Sequence, residues 1–277
     1  MTGPFNKWIG KTDIQKDIVT PALIDRYGAV IGAKVSGEAA PEGLHWCLGL
    51  PDAPMAELGA DGHPKTGGFL PPSPLPRRMW ASSKVEFLAD IKAGASIERR
   101  STIASVSEKT GRSGSLLFVN VDHVTLSNDV AAVKETQTIV YRDAPKEKMT
   151  LPKTGEVDVS AWDITEGLTP SPALLFRFSA LTFNTHRIHY DYDYATEVEG
   201  YPALVVHGPL MASLLLRFAN EHGQGRKIHK FGFRGLAPAF CHQKLFLAAS
   251  NIEDGFDLAV IGADGNKRMA AKVSFKA

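Results

Sequence analysis

Residues 205–222 read Val205-Val-His-Gly-Pro-Leu-Met-Ala-Ser-Leu-Leu-Leu-Arg-Phe-Ala-Asn-Glu-His222, and Gly223 follows. Pro209 stands where a first-turn proline is tolerated and Gly223 where a helix commonly stops, so the run is predicted to be helical. Its apolar residues Leu210, Met211, Leu214, Leu215, Leu216 and Phe218 run nearly all the way round, which a solvent-facing helix cannot carry. Such a helix must be enclosed, and the segments on either side decide by what.

Downstream, Lys227–Gly235, Leu245–Ser250, Asp257–Ile261 and Arg268–Phe275 read as strands, with Asp-Gly turns at 254–255 and 264–265. Upstream, residues 79–87, 96–106, 115–124 and 132–141 form a second β-rich meander. In its second strand Glu98, Arg100 and Thr102 face opposite Arg99 and Ser101, so its charges are expected on a solvated face or edge. A helix capped by Thr20, with Pro21 at its first position and Leu23, Ile24, Tyr27 and Val30 on one side, precedes that meander. Residues 51–76 are dense in Pro and Gly and too long for a structureless loop, so they should fold over something. The class is α+β, with antiparallel sheets wrapped around central helices in two halves: 1–145, a polar linker 146–170, and 171–277.

The 31 basic and 30 acidic residues nearly cancel, so no global field recruits nucleic acid or an anionic membrane. With 277 residues, 44% of them hydrophobic, there is enough chain for a sizeable core. Two lone cysteines, Cys47 and Cys241, suit a reducing compartment, and no signal sequence or long apolar span opens the chain, so a cytoplasmic location is expected.

The chemistry is crowded into Phe183-Asn-Thr-His-Arg-Ile-His-Tyr-Asp191, 16 residues before His207. Two histidines, an amide, an arginine and a carboxylate among hydrophobic neighbours are costly as packing, although a solvated or satisfied histidine-rich turn has the same composition. His189 can exchange a proton near neutral pH, and the unpaired N–H of Gly208 at a helix start can receive negative charge on an oxygen. His186 is an alternative acid/base, but on an extended segment it would point away from His189. Arg187 and Asp191 read as an internal ion pair. His45 and Trp46 read as packing or pocket wall. No nucleophilic serine or cysteine motif, metal-ligand spacing or phosphate loop accompanies the segment.

Together with Glu199-Gly-Tyr-Pro202, Leu204–Leu210, Pro74–Ala81 and Phe231–Pro238, these residues resemble the MaoC-like, R-specific hydratase type of hot-dog enzymes over nearly the full length. The nearest branch holds the mesaconyl-CoA and itaconyl-CoA hydratases and the mitochondrial 3-hydroxyacyl-thioester dehydratases. The wider family's motif is Asp-x-Asn-Pro-x-His. Here Asn184 stands at its first position and His189 at its last. In the nearer branch Asn-x-His-Arg-Ile-His-Tyr-Asp is the usual form.

The resemblance implies a tandem hot-dog with one active site, in the carboxy-terminal half, and reversible hydration or dehydration of a 2,3-enoyl or 3-hydroxyacyl thioester. His189 would be the acid/base, Asn184 would orient water, and Gly208 would hold the thioester oxygen. His207, Arg77, Arg78 and Arg234 would bind substrate, although His207 also reads as a helix-entry packing residue and the arginines as solvated side chains. No metal or other cofactor is implied beyond coenzyme A or an acyl carrier as part of the substrate, and a homodimer is the family's habit. Competing readings are a hot-dog acyl-CoA thioesterase and a non-catalytic acyl-thioester binding protein, the latter favoured by the missing aspartate.

Overall fold

The computed structural model describes residues 4–35, 37–111, 114–144 and 147–276. Ten strands form one antiparallel sheet: β1 (Thr12–Ile18), β2 (Arg77–Phe87), β3 (Ser96–Gly111), β4 (Gly114–Ser127), β5 (Val130–Arg142), β6 (Ile164–Leu168), β7 (Ile228–Gly235), β8 (Leu245–Ile252), β9 (Gly255–Gly262) and β10 (Lys267–Phe275). Their spatial order is β1-β3-β4-β5-β2-β7-β10-β9-β8-β6. Read outward from the middle, the second five repeat the order of the first five. The two halves join where β2 pairs with β7, Ser82 opposite Arg234 and Glu86 opposite Lys230.

Three helices, α1 (Pro21–Ile31), α2 (Pro172–Leu181) and α3 (Gly208–His222), supply the core. Thr20 Oγ1 accepts from the Leu23 N–H at 3.1 Å and Ser171 Oγ from the Leu174 N–H at 3.2 Å, so α1 and α2 each start on a hydroxyl cap with proline in the first turn. Every residue from Leu210 to Ala219 is buried, as the all-round apolar pattern required. α3 packs against β7, β8, β9 and β10 and also touches α1 and β2. Its one buried cation, Arg217, is met by a two-pronged pair with Glu166 on β6, at 2.5 and 2.9 Å. A sheet wrapped about helices, twice over, is the tandem hot-dog arrangement.

Two expectations need correction. The proposed linker, 146–170, contains β6, which pairs with β8 from Ile164 opposite Ala249 to Leu168 opposite Leu245, so the second half begins earlier than its composition suggests. The boundary at 145 and 146 lies outside the described residues, as do positions 112 and 113 of the β3–β4 turn. In β3, Glu98 and Arg100 pair at the surface, but Ile97, Ser101 and Ile103 are buried on the other face, and Arg99 turns inward with them toward Glu135. Burial lowers the pKa of Arg99, and the Glu135 charge opposes that. Among the described residues no helix is long and apolar enough to cross a membrane.

Candidate active site

The 183–191 segment leaves α2 through Phe183, at φ +47°. Asn184 Oδ1 accepts from the His186 N–H at 3.0 Å, closing a local turn that aims the next residues back across the end of the helix. Residues 187–189 form one tight helical turn, so the segment is not extended and His186 and His189 do not diverge. Their rings meet edge to face with centroids 5.4 Å apart. Arg187 and Asp191 form the anticipated ion pair at 2.8 Å, and Asp191 Oδ1 also accepts from the Tyr194 N–H.

His189 is buried and donates from Nδ1 to the Val205 carbonyl oxygen at 2.7 Å. That bond fixes the tautomer and leaves Nε2 with a lone pair and no partner among the described residues. His207 lies behind it, ring on ring at 3.6 Å, wholly buried, with Nε2 bonded to Ser179 Oγ at 2.8 Å. The substrate-contact role for His207 is therefore corrected: it is a wall against which His189 packs. Gly208 opens α3, where the helix leaves backbone N–H groups unpaired.

A fourth histidine completes the group. His63, in the proline-rich stretch, sits with its ring 4.1 Å from that of His186, and its Nδ1 lies 2.8 Å from Asp61 Oδ2. The Pro/Gly-dense stretch thus folds over the motif itself. Nothing in the spacing of Asp61 and His63, more than 120 residues before the motif, announces this; only the length and composition of their loop do. Asp61, His63 and His186 bring ligand atoms to within 4.8 Å of one another, a donor set able to hold a metal ion that no sequence spacing revealed.

Burial drives all four imidazoles toward the neutral form. It draws His189 down to about 4, against the bond to Val205, and puts His207 well below its ordinary value. His186 is lowered by burial and then by His63 and His189, and His63 by burial and then by Arg78, with Asp61 opposing. Burial raises the Asp61 carboxyl, but its contacts with His63 outweigh that and hold it low.

The arginines divide. Arg77 is buried, pairs with Glu199 at 2.8 Å and lies over the Tyr201 ring, so it is committed to structure. Burial still pushes the Glu199 carboxyl up, with Arg77 opposing. Arg78 lies close enough to His63 and His186 to depress both and makes no ion pair among the described residues. Arg234 is exposed, while its neighbour Phe233 on β7 is buried, so it sits on the outer face of the sheet, away from the histidines. A second polar grouping, in which Glu135 accepts from Trp46 and Ser83 and lies 3.6 Å from His45 Nε2, is buried in the first half and is consistent with the packing role read for His45 and Trp46.

A model of the hydroxyacyl-thioester dehydratase type 2 family matches residues 43–241. Mesaconyl-C(4)-CoA hydratase of Chloroflexus aurantiacus is 41% identical over 270 residues, 96% of each chain. Among solved structures, HtdX of Mycobacterium tuberculosis superposes with a TM-score of 0.72 at 19% identity, covering 96% of this chain and all of that one. A Mycobacterium tuberculosis protein described as having a double hotdog fold superposes at 0.58 and 12% identity, covering 96% of this chain and 95% of its own. The chain belongs to the hydroxyacyl-thioester dehydratase type 2 family, and it is a hydro-lyase that hydrates or dehydrates acyl thioesters.

Proposed function

We propose that this hydro-lyase acts on a short 2,3-enoyl thioester of coenzyme A whose acyl chain carries a free carboxylate, the class to which mesaconyl-C4-CoA belongs, with His189 as its acid/base. The observation that supports this most is the bond from His189 Nδ1 to Val205, which leaves Nε2 as a base in a cluster of neutral imidazoles. In hydration, Nε2 takes a proton from water as the water oxygen bonds to the β-carbon. The π pair moves onto the thioester oxygen, which the Gly208 N–H faces; one such donor is worth about 3 kcal/mol. The proton then passes from Nε2 to the α-carbon, and dehydration is the reverse. Asn184 keeps its Oδ1 on the His186 N–H, and its amide N–H₂ is left to orient the water.

Arg78 supports the carboxylate. It is the guanidinium beside the histidines that makes no ion pair among the described residues, and a planar fork suits a carboxylate better than a point charge does. Arg77, held by Glu199, is not available for it. A homodimer, a cytoplasmic location and the absence of a resident metal belong to the same reading; light scattering, fractionation and chelation test them in turn.

A panel of mesaconyl-C4-CoA, itaconyl-CoA and crotonyl-CoA, followed by enoyl absorbance and by free thiol, tests the proposal. Loss of absorbance without thiol, fastest on a carboxylate-bearing substrate, is the expected result. Release of thiol would make the protein a thioesterase instead, and preference for crotonyl-CoA would remove the role given to Arg78.

A further inference from the structure

The Pro/Gly-dense stretch carries a small hairpin into the histidine cluster. Leu58 bridges to Pro64, and the Gly59 N–H donates to the His63 carbonyl at 2.7 Å. The hairpin tip is fastened to the motif at three points. The Arg187 N–H donates to Asp61 O at 2.9 Å, Arg187 Nη1 to Ala60 O at 3.1 Å, and Thr185 Oγ1 to Gly62 O. Gly62, at φ +88°, lies so close that a Cβ there would run into the Thr185 carbonyl, and only glycine allows this approach. Held in place with the hairpin are two side chains that the function proposed above leaves without a task, Asp61 and His63.

These two meet His186 with coordinating atoms open. Asp61 Oδ1 accepts from the His63 N–H at 3.0 Å and Oδ2 lies 2.8 Å from His63 Nδ1, which leaves each carboxylate oxygen a further lone pair. His63 Nε2 and both ring nitrogens of His186 have no hydrogen-bond partner among the described residues. One ligand atom from each of the three residues lies within 4.8 Å of the other two. Zinc bonds of about 2.0–2.1 Å set tetrahedral donors roughly 3.4 Å apart, so side-chain shifts of about 1.4 Å or less close the set without moving the hairpin.

We propose that Asp61, His63 and His186 form a binding site for a borderline-soft divalent cation of the zinc class, and that the bound ion reversibly shuts off turnover. Two imidazoles and one carboxylate favour such an ion over magnesium or calcium, which take oxygen donors. The ion enters from outside as an inhibitor and has no part in the reaction. Arg78 acts by its charge on all three residues and opposes the cation, while Asp61 offsets it, so the affinity suits an ion that comes and goes. His186 belongs both to this set and to the motif, its ring 5.4 Å from that of His189. An ion on His186, with its own bound water, fills space beside His189 that substrate must enter. The binding stands apart from the function proposed above, whereas the inhibition rests on it, because it assumes that turnover runs through His189.

Calorimetric titration of untagged, EDTA-stripped and dialysed protein with zinc chloride tests the site. One ion per chain is expected, with magnesium chloride binding far more weakly. His63→Ala and His186→Ala should each weaken zinc binding on the order of 10²-fold, since loss of a mere outer partner of a ligand already costs roughly 10- to 100-fold. Asp61→Asn keeps the side-chain shape and removes its charge, and it should weaken binding by about 10-fold or more, which covers the case of a His63→Ala chain that fails to fold. No zinc binding, or binding that these variants leave intact, would overturn the site, and magnesium bound as tightly as zinc would overturn the class of ion. In turnover of mesaconyl-C4-CoA, zinc at concentrations that fill the site should lower the rate and EDTA should restore it. Asp61→Asn should lose much less of its own zinc-free rate at the same zinc concentration. A rate that zinc raises, or lowers equally in Asp61→Asn, would overturn the inhibition. Should the wild type turn over no thioester, the proposed function falls and the calorimetry still decides the site.

Discussion

The rings of His189 and His207 lie 3.6 Å apart and 21° from parallel, so neither can be charged without setting that charge against its neighbour. His207 is sealed and bound to Ser179, which makes it the fixed partner, and the function proposed above gives His189 the working role. A site built this way must be neutral at rest and tolerate a proton only transiently.

This neutrality predicts acid sensitivity with a definite sign. An unfolded histidine titrates near ~6.5, whereas burial draws folded His189 to about 4 and also lowers His63, His186 and His207. Between those values the unfolded chain binds more protons, so the stability contribution is complete above ~6.5 and is lost as pH falls toward 4, roughly 3 kcal/mol from His189 alone. Thermal unfolding should show a steep drop in midpoint across that window; a flat profile would mean the imidazoles are not buried neutral. The acid limb of kcat/KM should likewise fall near 4, well below the ordinary histidine range.

Arg77 and Arg78 should separate by readout. Arg77→Ala strands Glu199 in a largely buried position and should cost about 3–5 kcal/mol, measured by denaturant unfolding. Arg78→Ala should leave stability unchanged and raise KM for a carboxylate-bearing thioester roughly 10- to 100-fold, with little effect on crotonyl-CoA. Equal effects on both substrates would assign Arg78 to the thioester or coenzyme portion.

Gly208→Ala probes the helix start. A Cβ there would meet only Trp80 O, at 3.7 Å, so the fold accommodates it. If the thioester oxygen approaches this N–H closely, kcat should drop by on the order of 10-fold or more with no change in melting temperature. Wild-type kcat would move the oxyanion site elsewhere.

At Asn184, aspartate can accept the same bond from the His186 N–H, so Asn184→Asp should fold normally and keep kcat within about 10-fold of wild type. Asn184→Ala gives up the turn as well as the amide and should lose both stability, about 1 kcal/mol, and rate. Loss of activity in Asn184→Asp with gain in Asn184→Ala would contradict a water-orienting role.

The helix and the strands were legible because local pattern dictates them: the apolar girdle of α3 needs enclosure, and Asp-Gly turns separate alternating strands. β6 was not, since five residues at an edge, Ile-Thr-Glu-Gly-Leu, acquire strand character only by pairing with β8. The motif's final histidine stands out through the family resemblance and its titration range, and the structure buries it with Nδ1 on the Val205 carbonyl. Asp61 and His63 do not stand out, because their meaning depends on a hairpin docking more than 120 residues along the chain. Arg234 was misplaced for the converse reason: adjacency to Phe233 in sequence is opposition across a sheet.

The central claim is tested most directly by His189→Ala, assayed for kcat on mesaconyl-C4-CoA by loss of enoyl absorbance. A fall of about 10²- to 10⁴-fold with little change in KM is expected. A kcat near wild type, with His186→Ala inactive instead, would contradict it and place the proton on His186.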